Sequence, residues 1–357
     1  MIDAEISKKV LLTHQDKSGA FPAAPNFPPY QYCWLRDGSF IAYALILAGE
    51  EKAAADFFNW TGMVVKRYQD KVFKSISLYN QGVKLHPDQL LHTRFTMDGY
   101  EGTEPWGNFQ LDGYGTYLWA LGQFRKKYVN SPYLEDSEWA VKVVIEYLIR
   151  FWHTSCLDCW EECEGVHAVT LAALYGGLKS QTEQGFLNKI QKKNIEAILD
   201  LILKEIEHSY IDNGHFVKDR WNKTIDSSLI WLALPFEVVT LDNRVMRHTI
   251  EEIERSLLFK GGIKRYISDE YYGGGAWLPL TAWLGWYYAR IGKLSKAKVY
   301  QEWIEGHSRE QNLPEQVTDT DCPECQSWVK KWGPVAEPLL WSHAMHIILD
   351  HEMKKLN

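Results

Sequence analysis

Apolar residues recur at i, i+3 and i+4 in one segment after another, the spacing that lines one face of an α-helix. The pattern predicts about twelve helices, near residues 3–15, 36–48, 51–69, 109–127, 137–152, 166–179, 184–206, 226–234, 243–258, 276–291, 295–310 and 338–352. Convincing strand alternation is missing, apart from short candidate hairpins near Lys71–Leu78 and His215–Lys218.

The even-numbered predicted helices are the more apolar and the richer in glycine and alanine, as in Phe40-Ile41-Ala42-Tyr43-Ala44-Leu45. Four of them close alike, on Gly49, Gly122, Gly176 and Gly292. Glycine just past a helix takes the left-handed conformation without steric cost. Several odd-numbered helices carry a charged face, as in Lys189-Ile190-Gln191-Lys192-Lys193, and Asp136, Asp242 and Ser295 are candidate N-caps. The series therefore reads as helical hairpins. Six buried inner helices ringed by six amphipathic outer ones is the simplest packing. That is an all-α (α/α)6 toroid, expected as a single domain over residues 1–357.

Charge removes some classes of function. Lys plus Arg number 39 against 46 Asp plus Glu, a net −7 without a charge run, so there is no electrostatic footprint for nucleic acid or an anionic membrane. The polar start, Met1-Ile2-Asp3-Ala4-Glu5, does not resemble a secretory signal, and no apolar run reaches transmembrane length. A soluble, cytoplasmic protein is expected. Aromatic content is high, with 16 Trp and 19 Tyr. Such side chains dominate core packing, yet several here stand beside charged residues, where flat rings can stack on sugars.

The irregular stretches fall at regular places. Tyr30 to Asp37, Trp106 to Asp112, Trp160-Glu161-Glu162, Arg265 to Trp277, and Leu313 to Gln316 with Trp341-Ser342-His343 each lie just before an even-numbered helix or in the loop leading to it. In an alternating toroid those helix ends face one way, so the segments converge on one mouth. It would hold Trp34, Trp106, Trp160, Trp277 and Trp341 with Arg36, Asp37, Arg265 and several carboxylates. Aromatic walls set with polar groups make a sugar pocket more readily than a phosphate site. No P-loop, no GxGxxG after a strand and no HExxH occurs.

Cleaving a glycosidic bond commonly takes two carboxyls across the sugar. A carboxyl against an aromatic face can hold its proton near neutral pH, which makes Glu161, after Trp160, a candidate general acid. Alone, the pair Glu161-Glu162 reads more simply as first-turn acids complementing a helix dipole. Glu315 follows Pro314 in an irregular loop, with no helix to complement, and is the candidate partner; Asp37, Asp112 and Glu162 compete. Asp37 beside Arg36 should be held ionised, suited to gripping hydroxyls.

Together these motifs resemble the family-15 glycoside hydrolases, the glucoamylase and glucodextranase group, along nearly the whole chain. The matching residues are Tyr30-x-Tyr32-x-Trp34-x-Arg36-Asp37, Trp106-Gly107-x-x-Gln110-x-Asp112-Gly113, Trp160-Glu161-Glu162, Arg265-Tyr266-x-x-Asp269-x-Tyr271-Tyr272-x-Gly274-x-x-Trp277, Glu315-Gln316 and Trp341-Ser342. The resemblance implies an (α/α)6 barrel and an inverting, exo-acting hydrolase releasing β-glucose from short α-glucosides, with no catalytic cofactor. It makes Glu161 the acid and Glu315 the base, with Tyr30 holding the attacking water. Arg36, Asp37 and Arg265 would bind the terminal glucose, Trp34, Trp106, Gln110, Trp160, Trp277 and Trp341 would line the pocket, and Glu162 would meet the next sugar. An inverting pair is expected about 6.5–9.5 Å apart. Many relatives carry a β-sandwich before the barrel or a starch-binding module after it. Here the barrel begins almost at Met1, which favours short oligosaccharides. The segment around Trp106 is similar to the dextran- and isomaltose-cleaving branch, with α-1,4, α-1,6 and α,α-1,1 linkages all open.

All six cysteines lie in the mouth segments. Cys156-x-x-Cys159 and Cys322-x-x-Cys325 could share a structural tetrahedral zinc, form disulfides or stay free. His167 and His343 read as satisfied inner-helix histidines ahead of substrate contacts. Two other functions fit the same fold: an inverting phosphorylase, which would not need Glu315, and a non-catalytic regulatory domain, disfavoured by retention of both glutamates.

Overall fold

The structure, a computed structural model, describes residues 2–356. Twelve α-helices form among them: α1 (Ala4–His14), α2 (Leu35–Ala48), α3 (Glu51–Asn80), α4 (Asp112–Lys127), α5 (Glu138–Phe151), α6 (Ala168–Thr182), α7 (Lys189–Ser209), α8 (Arg244–Leu257), α9 (Leu278–Arg290), α10 (Leu294–Gly306), α11 (Pro323–Trp332) and α12 (Leu340–Lys354). A 3-10 helix, Ser227–Leu232, occupies the turn of the alternation between α7 and α8. The inner ring runs α2, α4, α6, the 3-10 helix, α9 and α12, each packed on the next, and α12 closes on α2. The outer layer is α1, α3, α5, α7, α8 and α10. This is the expected (α/α)6 toroid.

Burial explains which helix went where. In α4 every residue from Asp112 to Gly122 is buried, and α2, α6, α9 and α12 are nearly as enclosed. In α8 only Met246, Thr249, Ile250, Ile253 and Leu257 are buried, a single stripe at helical spacing facing the ring. The closest inner crossing is α4 on α6. A Cβ at Gly177 would lie 2.2 Å from the Gly115 carbonyl oxygen, and one at Gly115 would lie 2.4 Å from that of Ala173. Only glycine permits that approach.

Several expected elements are corrected. The hairpin expected at Lys71–Leu78 is the continuation of α3, because Val65, Val72 and Ser75 keep the helical period and are buried. The helix expected at 226–234 is 3-10, its six residues all buried, and Pro235 ends it. Helix α11 was not foreseen. Gly49 and Gly292 close α2 and α9 with positive φ, whereas Gly122 and Gly176 lie inside α4 and α6. Asn243, not Asp242, caps α8, and Lys293 stands where α10 begins, ahead of Ser295. Asp136 does accept a hydrogen bond at the start of α5, from the Glu138 amide. The hairpin near His215 exists, pairing Ile211–Asp212 with His215–Phe216.

Much of the aromatic surplus is core. Phe40 is ringed by Trp119, Trp231, Trp283, Phe236 and Trp341, and this cluster fills the barrel centre. At the mouth, two-residue strands tie loops together. Gln316–Val317, Ala276–Trp277, Gly262–Ile263 and Leu258–Phe259 form one antiparallel sheet in that order, and Gln316 stands opposite Trp277.

Candidate active site

Glu161 is not in the first turn of a helix. It lies in a turn ahead of α6, with φ 66°, a left-handed conformation that costs a non-glycine residue about 1–3 kcal/mol. Asp158 builds that turn. Its carbonyl accepts from the Glu161 amide at 3.0 Å, and its Oδ1 accepts from the amides of Glu162 at 2.8 Å and Cys163 at 3.2 Å. Strand pairing of Cys156–Leu157 with Glu164–Gly165 closes it. Beneath, the buried Lys218 ammonium lies 2.6 Å from Asp158 and 3.3 Å from Asp226, and Asp226 accepts from the Trp160 indole at 2.9 Å. The helix-dipole reading of Glu161 therefore fails on position.

Both oxygens of Glu161 are bonded. Oε1 accepts from the Trp34 indole and, at 2.8 Å, from the Gln110 amide; Oε2 accepts from the Trp106 indole. Burial raises this carboxyl above its ordinary value, while Arg36 and these three donors pull it back. Glu315 is 1% exposed, and burial lifts it further, to about 8, against the opposing pull of Arg265 and the Tyr30 hydroxyl. Its Oε2 has no partner. The Glu315 backbone is held instead, with its amide donating to Ala336 and its carbonyl accepting from Leu278.

A cavity is lined by Tyr30, Trp34, Arg36, Asp37, Trp160, Glu161, Arg265, Trp277, Glu315 and Trp341, among others. It opens into a wider vestibule lined by Trp106, Glu162, Tyr266, Tyr271, Trp328 and Trp332, which shares Tyr30, Trp160, Glu161 and Arg265 with it. Glu161 thus stands at the junction, and Glu315 belongs to the inner cavity alone. Arg36 pairs with Asp112 at 3.1 Å and Asp37 at 3.4 Å. Burial nevertheless lifts Asp37 to about 6, a weaker hold on ionisation than the Arg36 neighbour alone suggests. Arg265 is clamped by Asp269 and Glu162, and Glu162 also accepts from Tyr266. Several lining atoms are buried without a hydrogen-bond partner: Glu315 Oε2 and the indole nitrogens of Trp277 and Trp341. Unmet donors and acceptors among aromatic rings suit a ligand made of hydroxyls.

Every candidate pocket residue reaches the cavity or vestibule except Gln110, which is buried behind Glu161 and joins it to Arg36. Sequence reasoning quoted Tyr271 among the matching residues but gave it no role; its hydroxyl is 2.8 Å from that of Tyr30. It missed the α11 tryptophans. Trp332 stacks on Trp106 at 6.2 Å. Cys322-Pro323 followed by tryptophans four apart was the available signal, a cap, a proline at the first position and one helix face. His167 and His343 are core histidines, bonded to the Cys163 carbonyl, and to Leu313 and Ser7.

The zinc expectation finds no support. All six cysteines are free, and among the described residues no group of three or more His, Cys, Asp or Glu is arranged to hold a metal. Cys156 sits in the strand beside the Glu161 turn, where burial pushes its thiol up to about 12. Cys322 and Cys325 pack instead at the start of α11, against Gly273.

The sequence matches the model of glycosyl hydrolases family 15 over residues 3–318. The chain belongs to this family. It is a glycoside hydrolase, and a pocket reached from one vestibule suits an exo-acting α-glucosidase. An isomaltose glucohydrolase of Kribbella flavida is 35% identical over 98% of this chain and 92% of its own length. A glycosidase solved in complex with glucose superposes with a TM-score of 0.93 at 34% identity, covering 99% of this chain and 96% of that one. The glucoamylase of Saccharomycopsis fibuligera shares the fold, with a TM-score of 0.75 at 16% identity over 99% and 95% of the two chains. Among the described residues no helix is long and apolar enough to cross a membrane.

Proposed function

We propose that the protein is an inverting glucosidase, residues 1–357 forming one catalytic domain, that removes β-glucose from the non-reducing end of short α-glucosides, with the α-1,6 bond of isomaltose as its preferred target. Glu161 is the general acid and Glu315 the general base. The observation that carries this assignment is the position of Glu161 at the junction of cavity and vestibule. A terminal glucose filling the inner cavity puts its glycosidic oxygen at that junction, within reach of Glu161, and the next sugar in the vestibule. Glu315, on the inner cavity only, is then left for the water on the other face.

The proton inventory follows. Glu161 gives its proton to the leaving oxygen, and the anomeric carbon develops positive charge as that bond breaks. Glu315 takes a proton from the water that forms the new bond from the opposite face, inverting the centre. Burial raises Glu315 to about 8, so it must enter the reaction ionised against its burial. Arg265 and Tyr30 both favour that form, and a bound water donating to the bare Oε2 adds to them. Tyr30, held by Tyr271, is the group to orient that water. Arg36, Asp37 and Arg265 take the glucose hydroxyls, and Glu162 meets the second sugar.

The test is release of glucose from maltose, isomaltose, panose, dextran and trehalose, with the first-formed anomer followed by NMR. The proposal expects β-glucose, fastest from isomaltose. Initial α-glucose, a requirement for phosphate, or preference for trehalose would overturn it. Glu161→Gln should be inactive on isomaltose yet act on α-glucosyl fluoride, whose leaving group needs no proton.

A further inference from the structure

A buried chain of hydrogen bonds runs from the outer wall of the barrel to the Glu315 loop. The Leu313 amide lies 3.0 Å from His343 Nε2. A backbone N–H can only donate, so Nε2 is bare, and burial keeps the imidazole neutral, its pKa lowered to about 3. The His343 proton is therefore on Nδ1, which donates to Ser7 Oγ at 3.0 Å. Ser7 Oγ is in turn hydrogen-bonded to His346 Nδ1 at 2.9 Å, and His346 Nε2 faces Glu305 at 3.4 Å. Ser7, His343 and His346 are fully buried, and they bring together α1, α12 and, through Glu305, α10.

The same three-residue stretch is tied elsewhere by backbone. The Leu313 carbonyl accepts from the Leu339 amide, Pro314 from Ser342 Oγ at 2.8 Å, and the Glu315 amide donates to Ala336. Glu315 Oε2 has no hydrogen-bond partner, so beside the Tyr30 and Gln316 side chains that bond to this carboxyl its aim depends on where its backbone is held. We propose that the chain Glu305–His346–Ser7–His343 fixes the Glu315 loop through the Leu313 amide, making Ser7 and His343 positioning residues for the base. This rests on the reading of Glu315 given above. Without His343 the Leu313 N–H is a buried orphan, and the loop shifts to find water or another acceptor.

Three variants test it: Ser7→Ala, His343→Asn and His343→Gln. The shorter amide of Asn reaches toward Ser7 and abandons Leu313; the longer amide of Gln can stand where Nε2 stands. Ser7→Ala and His343→Asn should lower kcat on isomaltose about tenfold to hundredfold, the scale of an ångström misplacement, with KM within about twofold. The loss should persist on α-glucosyl fluoride, which still needs the base, and His343→Gln should recover much of it. Ser7→Ala, which deletes one oxygen from an outer helix, keeps the test available if a histidine variant does not fold. A lower melting temperature with unchanged kcat would make the chain merely structural and overturn the proposal. So would a loss that disappears on the fluoride, or His343→Gln performing no better than His343→Asn. Failure of the base reading is separate: it would appear as turnover retained by Glu315→Gln.

Discussion

Replacing Glu315 by glutamine should stop catalysis and stabilise the protein, and the stabilisation should depend on pH. Glutamine keeps the shape of the side chain but cannot ionise. Burial raises the Glu315 carboxyl from 4.5 to about 8 in the folded state, so the native protein holds this proton more tightly than the unfolded chain. The resulting stability is fully present below the unfolded value and is lost as pH rises through the folded one. At about 1.36 kcal/mol per pH unit, the span gives an upper bound of roughly 5 kcal/mol; relaxation of a pocket open to water brings the expected loss to about 2–3 kcal/mol. The glutamine variant escapes it. Urea unfolding of both proteins at about pH 5 and about pH 8.5 reads the difference. The advantage of the variant should be small at the lower pH and grow to a few kcal/mol at the higher, while kcat falls by about 10²–10⁴. An advantage that does not grow with pH would refute the electrostatic argument, and near-normal turnover would refute the role. A residue that costs stability in order to act is what a buried catalytic carboxyl should be.

Three further outcomes follow from the geometry. Lys218→Met leaves Asp158 and Asp226 buried without their cation, so folding should weaken by about 3–5 kcal/mol, seen as a lower urea midpoint. Gly115→Ala puts a methyl group 2.4 Å from the Ala173 carbonyl oxygen, and overpacking at the α4–α6 crossing should cost about 1–3 kcal/mol, read as a lower melting temperature with KM unchanged. Trp332→Ala removes the ring stacked on Trp106 at the vestibule. The KM for isomaltose should rise about threefold to tenfold, the scale of an aromatic contact, with α-glucosyl fluoride little affected because it has no second sugar.

The catalytic candidates were legible because chemistry restricts residue type more than position. Trp160-Glu161-Glu162 and Glu315 could be singled out by composition and ordered motifs, and the alternation of apolar and amphipathic helices already required their loops to meet. Corrections fell where local pattern is ambiguous. The end of α3 was read as a hairpin, although its period continued, and α11 was missed because ten residues with a cysteine, a proline and two tryptophans carry little periodic signal. Its Trp328 and Trp332 became a vestibule wall only through contact with Tyr271 and Trp106.

By itself, then, the sequence determined the alternation of six inner with outer segments and the common mouth, and singled out the two candidate carboxyls. Hydrophobic period and residue chemistry are local properties that a single chain displays. Tertiary structure alone decided what each carboxyl experiences: three donors around Glu161, none on Glu315 Oε2, and Lys218 beneath the turn that aims Glu161. It also parted the cysteine pairs and joined Ser7 to His343 across 336 positions. Burial and hydrogen-bond partnership depend on neighbours remote in sequence, and those exist only once the ring has closed.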